Sequence, residues 1–461
     1  MKVRFVVMAL VATASLLSAQ TSVAPPKVVF SEYRLKNGLR VILSNDKSAP
    51  VVAVNVTYNV GSRNERPGRT GFAHLFEHMM FQGSANVGKG EHMLLVQDNG
   101  GTMNGSTNKD RTNYYEEVPA NQLDMALFLE ADRMKSLDIS QANLDNQRAV
   151  VQEERRQNYD NQAFGSMGET VDELMYDSFA YKHSTIGSMD DLNAAKLEDV
   201  RSFFNTYYAP NNAVLTVVGD FDEAALKGKI EKYFGGIPRG TEPPAVDMNE
   251  SLGVAERRKF VKDPLARNCR YMMAFKTVTG DHPDAAALQL LAQIISGRSG
   301  RLTKAIVDEK KLATNISAGS SAGRGPGQFS FSGGITSLAK VEGLDKGLEA
   351  FITELQEKGV TEAELAKAKR VARARGIMGF GGRGGGGQTA LSKANALGQN
   401  AVYFNDPDRT NKSLESIEGV TLERIQKVAR VYLNKPNRVV VVYSPGGQVP
   451  AQNPDEMDGG N

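Results

Sequence analysis

Apolar and polar positions recur with different periods along the chain, and each change of period marks a structural element. Ser31-Glu32-Tyr33-Arg34-Leu35 and Leu39-Arg40-Val41-Ile42-Leu43 flank Asn37-Gly38, the pattern of two strands joined by an Asn-Gly turn. Val51 to Tyr58 is rich in β-branched residues and reads as another strand; Gly61 to Gly68 is polar and reads as a loop. Residues 71–80 then read as a helix, and 100–118 as strand, turn and strand. Leu123 to Met134 carries apolar residues at helical spacing, as does the stretch that follows Asp145. This order predicts an α+β fold, with helices packed on one face of a mostly antiparallel sheet.

The pattern occurs twice. Leu197-Glu198-Asp199-Val200, Tyr207 and Pro210-Asn211-Asn212 precede the apolar run Ala213 to Gly219. Leu422-Glu423-Arg424-Ile425, Tyr432 and Pro436-Asn437 precede Arg438 to Val442. The offset reads as 225 residues at the tyrosines and 226 at the prolines, as if one loop residue were added. Ala285 to Ile295 is an apolar helix where the first half has its 71–80 helix, but it carries no metal-binding side chains. The expected organisation is therefore two homologous domains, 30–240 and 259–445, joined by a linker at 241–258 that contains Pro243 and Pro244.

Chemistry concentrates in Gly71-Phe72-Ala73-His74-Leu75-Phe76-Glu77-His78-Met79-Met80. On a helix, His74 and His78 project from one face, one turn apart, and two imidazoles so placed can share a zinc ion. Glu77 lies on nearly the same face and can act as a base without being a ligand. Two of the chain's five histidines fall in this string.

His-x-x-Glu-His resembles the motif of the inverzincins, and the wider pattern, over roughly residues 30–445, resembles the pitrilysin or insulinase family (M16) of zinc peptidases, near the bacterial secreted relatives of the mitochondrial processing peptidases. The resemblance implies a third ligand about 75 residues downstream. Val150-Val151-Gln152-Glu153-Glu154-Arg155-Arg156-Gln157 supplies Glu154, with Glu153 as the alternative, since neighbouring helical residues point about 100° apart. Seven residues before Glu154, where the family often has Glu, stands Gln147, able to hydrogen-bond but uncharged. The resemblance further implies that an edge strand beginning near Asn104 binds peptide through its backbone, with Asn104, Gly105 and Thr107 as contacts. The family's Asn-Ala is Asn104-Gly105 here.

Family members also use an Arg and a Tyr, from the second domain or a companion subunit, to hold the peptide and its oxyanion. No tyrosine lies between Tyr271 and Tyr403, and Phe331 to Thr336 has neither residue. The expectation is a zinc-dependent endopeptidase for extended peptides or small unfolded proteins, acting with a homologous companion or as a homodimer. The competing expectation is a non-catalytic binding or assembly subunit. The complete set His74, Glu77, His78 and Glu154 speaks against that alternative.

Composition adds limits. Apolar residues are 41% and charged residues 23%, a globular balance, and the formal charge of +2 vanishes without Lys2 and Arg4. Neither nucleic acid nor an anionic surface is an expected partner. Lys2 and Arg4, the apolar run Phe5 to Ala12 and the small residues up to Ala19 read as a signal peptide at 1–19, so a periplasmic or secreted protein is expected, without stable membrane insertion. The single cysteine, Cys269, excludes an intrachain disulfide and reads as core. The glycine-rich run 376–387 reads either as a flexible break or as a loop over the substrate, and 446–461 as a disordered tail.

Overall fold

The computed structural model describes residues 27–446 apart from 254, 299 and 379–388. The expected leader, most of the glycine-rich run and all but the first residue of the tail lie outside the described residues.

Eleven described strands form two sheets. In the first, β1 (Ser31–Arg34), β2 (Arg40–Asn45), β3 (Val51–Tyr58), β4 (Thr102–Thr107), β5 (Thr112–Pro119) and β6 (Ala213–Gly219) lie in the order β1-β2-β6-β3-β5-β4. In the second, β7 (Arg257–Asp263), β8 (Cys269–Lys276), β9 (Asn315–Ser321), β10 (Gln328–Ile335) and β11 (Arg438–Pro445) follow β7-β11-β8-β10-β9. Each sheet has one parallel pair, β2–β6 and β7–β11, and is otherwise antiparallel. Without β1 the two orders coincide strand for strand, so the duplication extends to topology.

It extends to side chains as well. Asn212 Nδ2 donates to the Tyr207 carbonyl at 2.8 Å, and Asn437 Nδ2 donates to the Tyr432 carbonyl at 2.9 Å. Both short helical turns, Pro210–Asn212 and Lys435–Asn437, end on that asparagine. The offset is therefore a constant 225, and only the proline moves by one place within the turn. No loop residue is added, because a carbonyl to be satisfied fixes the asparagine while proline is tolerated at either early helical position.

One face of each sheet carries its own helices: Phe72–Met79, Leu123–Ser136 and Gln141–Arg155 in the first domain, and Ala285–Ile295, Val341–Lys358 and Glu362–Met378 in the second. The opposite faces are covered by exchange. Met167, Val171 and Met175 of the first domain pack on Ala274, Val439 and Val441 of the second sheet. Ala390, Ala394, Leu397 and Ala401 of the second domain pack on Ile42, Ala53, Val214 and Val218 of the first. Central strands are thus buried on both faces, which explains why β3, β6 and β11 read as unbroken apolar runs rather than alternating ones. Among the described residues, 235–256 has neither helix nor strand. Cys269 is buried at the start of β8, with its thiol pushed up by burial. No described helix is long and apolar enough to cross a membrane.

Candidate metal centre

The helix Phe72–Met79 is two-faced. Leu75, Phe76 and Met79 are fully buried, and Phe76 stacks on Phe203 and Tyr208 with ring centroids 5.3 and 5.0 Å apart. Burying each such side chain contributes about 1.5–3 kcal/mol. This holds the helix against β5, where the Tyr114 hydroxyl donates to the Phe76 carbonyl at 3.3 Å. His74, Glu77 and His78 are left on the partly exposed face.

Gly71 starts the helix with φ +85, and a Cβ there would lie 2.6 Å from the Ile186 carbonyl oxygen, so only glycine fits. Glycine offers no capping side chain, and Glu65 fills that role from the preceding loop. Its Oε2 accepts from Gly71 N at 2.9 Å and its Oε1 from Ala73 N at 2.8 Å. A carboxylate there also suits the positive end of the helix. Burial raises the Glu65 carboxyl, while His183, whose Nε2 lies 2.9 Å from Oε2, and the two N–H donors oppose that shift. The sequence reading missed Glu65; a carboxylate six residues ahead of a glycine-started helix was the available signal.

Glu154 sits near the end of Gln141–Arg155 and meets both histidines: its Oε2 is 3.2 Å from His78 Nε2 and 3.7 Å from His74 Nε2. Ligands about 2.0–2.1 Å from a tetrahedral zinc ion lie about 3.3 Å apart, so this spacing fits one ion. The donor chemistry fits too. Burial, followed by the nearby His78, lowers His74 to about 4, keeping it the neutral imidazole a metal requires. The hydrogen bond with His78 lowers Glu154 and keeps it ionised. Among the described residues, His74 Nδ1 is buried without a hydrogen-bond partner. Glu153 points elsewhere: its side chain is 53% exposed and engages Arg156 and Gln157. Of the two adjacent glutamates, the structure brings Glu154 to the histidines.

Arg155 fixes the end of this helix. It donates to both Glu169 oxygens, at 2.8 and 3.1 Å, and to the Gly187 carbonyl at 2.8 Å, beside Gly71. The chain then widens into a π turn, Arg156–Asp160. Gln147 does not reach the ligands; its amide donates to Asn146.

Glu77 lies between this cluster and β4. A Cβ on Gly105 would be 3.0 Å from Glu77 Cγ and 3.4 Å from its Oε1, so the glycine gives this carboxylate its room. Burial raises Glu77, opposed by a hydrogen bond from the Thr107 hydroxyl and by His78 and Arg111. Gly105 and Thr107 thus border Glu77, whereas the Asn104 Oδ1 accepts from Gly105 N at 2.8 Å. β4 is the edge of its sheet, as the sequence suggested.

A second group of metal-type side chains, His92, Glu116 and Glu130, is buried behind the helix. Arg133 already occupies both oxygens of Glu130. Burial, together with the Glu130 charge, pushes Glu116 well above the carboxylate range, so it holds a proton. Guanidinium and proton neutralise this group without an ion.

The insulinase family (peptidase family M16) matches residues 40–188, which include His74, Glu77, His78 and Glu154, and the peptidase M16 inactive domain matches 194–371. The zinc protease PqqE of Helicobacter pylori is 32% identical over 339 residues, 73% of this chain and 76% of that protein. The crystal structure of a protease from Helicobacter pylori superposes with a TM-score of 0.84 at 29% identity, covering 90% of this chain and all of that one. The periplasmic protease PqqL of Escherichia coli shares the fold, with a TM-score of 0.74 at 17% identity; 93% of this chain covers 50% of PqqL. The duplicated fold and these matches identify the chain as a member of the insulinase (M16) family of zinc peptidases.

Proposed function

We propose that the chain is an exported zinc endopeptidase that cuts extended peptides or small unfolded proteins and works as one half of a paired enzyme. The observation that carries this reading is the position of Glu77, a raised carboxylate between a three-ligand cluster and an unpaired strand edge. His74, His78 and Glu154 hold the ion, which when bound supplies Lewis acidity toward a water molecule and the scissile carbonyl. Glu77 takes the proton of the attacking water and returns it to the leaving amine, a role worth about 10²–10⁴-fold. β4 offers its free backbone edge to the peptide, with Gly105 and Thr107 beside the reacting groups and Asn104 next to them.

Pairing is supported by two facts. The chain spans half of PqqL. Arg324 and Tyr403, an arginine and a tyrosine that the second domain does bring to the first, are engaged elsewhere: the Arg324 guanidinium donates to Asn59 Oδ1 and the Val402 carbonyl, and the Tyr403 hydroxyl to Asn108 at the β4–β5 hairpin tip. On this reading the oxyanion donors come from a companion chain or a second copy. Export is supported by the N-terminal pattern and by the likeness to a periplasmic protease.

The test is to purify the chain from periplasm, count zinc per chain, and follow cleavage of a mixed peptide library with and without chelator, across protein concentration. One zinc per chain and chelator-sensitive cleavage that grows with self-association or an added companion is expected. A zinc-free chain, or cleavage indifferent to chelator, contradicts the reading.

A further inference from the structure

We infer that Tyr403 and Asn395 of the second domain are substrate-positioning residues, acting through the β4–β5 hairpin whose outer strand flanks Glu77, with the Arg324 backbone N–H as a further grip; this rests on the reading of β4 as the peptide-binding edge.

The hairpin turns at Asn108–Arg111, where Asn108 Oδ1 accepts from Asp110 N at 2.8 Å and Arg111 N at 3.0 Å. The Tyr403 hydroxyl, from the exchanged helix Ala390–Phe404, donates to the same oxygen at 3.1 Å. Burial raises its phenol to about 12, so it remains a donor at any working pH. Arg324 comes from the loop between β9 and β10, the corresponding hairpin of the second domain. Its backbone N–H donates to Asp110 Oδ2 at 3.1 Å, and its Nη1 donates to Asn59 Oδ1 at 2.6 Å and to the Val402 carbonyl at 3.4 Å. Asn395 adds a third grip lower down, accepting from Asn113 Nδ2 at 2.9 Å. The tips of the two homologous hairpins therefore meet, and the metal-free domain holds the strand of the metal-bearing one.

This matters because, among the described strands, β4 has a neighbour on one side only. An edge strand that must be ordered as peptide arrives binds it more weakly than one already held. The grips lie at the tip and on β5, away from His74, His78 and Glu154, so they set peptide affinity rather than metal binding. First-domain bonds hold the tip as well, with Ser62 N and Arg63 N donating to the Asn108 and Lys109 carbonyls at 3.2 and 3.1 Å and the Tyr181 hydroxyl to Asp110 Oδ1 at 2.6 Å, and the second domain's grips add to these.

The experiment measures binding without cleavage. In the Glu77→Gln background, Tyr403→Phe and Asn395→Ala are titrated against a fluorescein-labelled peptide that the unmutated chain selects from an extended-peptide library. Zinc content and Tm are recorded in parallel, and Lys393→Met, which breaks an ion pair with Asp46 at another point between the domains, serves as control. Losing one such hydrogen bond is expected to raise Kd about three-fold for each of Tyr403→Phe and Asn395→Ala, with zinc unchanged. In the active background the same variants raise KM and leave kcat within about two-fold. Unchanged Kd in both variants, or an equal rise in Lys393→Met, overturns the inference while leaving the peptidase reading intact. A zinc-loaded parent that binds no peptide overturns both.

Discussion

Phe72–Met79 and Ala285–Ile295 occupy the same place in their two domains, each against the edge hairpin of its own sheet, yet only the first bears chemistry. In the second domain the helix is apolar, with Ala287, Leu288, Leu290, Leu291, Ala292 and Ile295 all buried. Its start is tied to a distant helix: Asp284 accepts the Tyr432 hydroxyl at 2.8 Å and pairs with Arg424. In the first domain the corresponding tyrosine, Tyr207, bonds the Asn64 carbonyl instead, and the carboxylate at the helix start is Glu65, brought from a loop. The comparison teaches that the fold needs a carboxylate at this helix start in both copies. The face bearing His74 and His78 has support that the second copy's helix lacks, here the two Glu65 bonds to Gly71 N and Ala73 N, Arg155 and the close approach of Gly71 to Gly187.

The largest effect should come from the ligands. Glu154→Gln is expected to lower zinc affinity at least ten-fold and abolish cleavage, whereas Glu153→Gln keeps both; metal titration of the two variants checks this. If only the Glu153 change releases metal, the geometry of the cluster is wrong. Next comes the helix start. Glu65→Ala leaves two buried N–H groups and His183 without their carboxylate and should cost about 3–5 kcal/mol, seen as a fall in Tm and in zinc affinity together. Asp284→Ala should lower Tm and leave zinc affinity unchanged, which separates structural support from metal support in the two copies.

A smaller effect is expected at Gly105, where the second domain has Ala318 on the corresponding edge strand, β9. Gly105→Ala crowds Glu77 and should change kcat by less than about ten-fold with zinc content intact. The smallest concerns Asp46, whose carboxyl is lowered from 3.8 to about 2, chiefly by its hydrogen bond with Lys393. Its folded-state pKa is depressed, so its contribution is complete above its unfolded pKa and is lost as pH falls toward 2. Lys393→Met should reduce stability by under 1 kcal/mol at neutral pH. The variant and the parent should converge near pH 2 in denaturant titrations.

Much of this was readable in the sequence because it is local. The His74–His78 spacing, the β3 run, the Ala285–Ile295 helix and the repeated Tyr-to-Asn turn each follow from periodicity over a few residues. The third ligand was readable only through resemblance, since nothing local separates Glu154 from Glu153. The rest depends on contacts far apart in sequence. Met167–Met175 and Ala390–Phe404 cross to the other domain's sheet. Arg324 and Tyr403 meet a hairpin more than two hundred residues earlier. Phe331 to Thr336 carries neither arginine nor tyrosine, and it is the exchanged helix and the β9–β10 loop that bring such a pair to the first domain.

The most direct measurement is zinc content and turnover of Glu77→Gln, made in parallel with the unmutated chain and under the conditions where that chain is most active. Glu77 borders the cluster without belonging to it, so the variant should keep one zinc per chain while turnover falls about 10²–10⁴-fold. Turnover near that of the unmutated chain, with zinc retained, would contradict the assignment of Glu77 as the base and the account built on it.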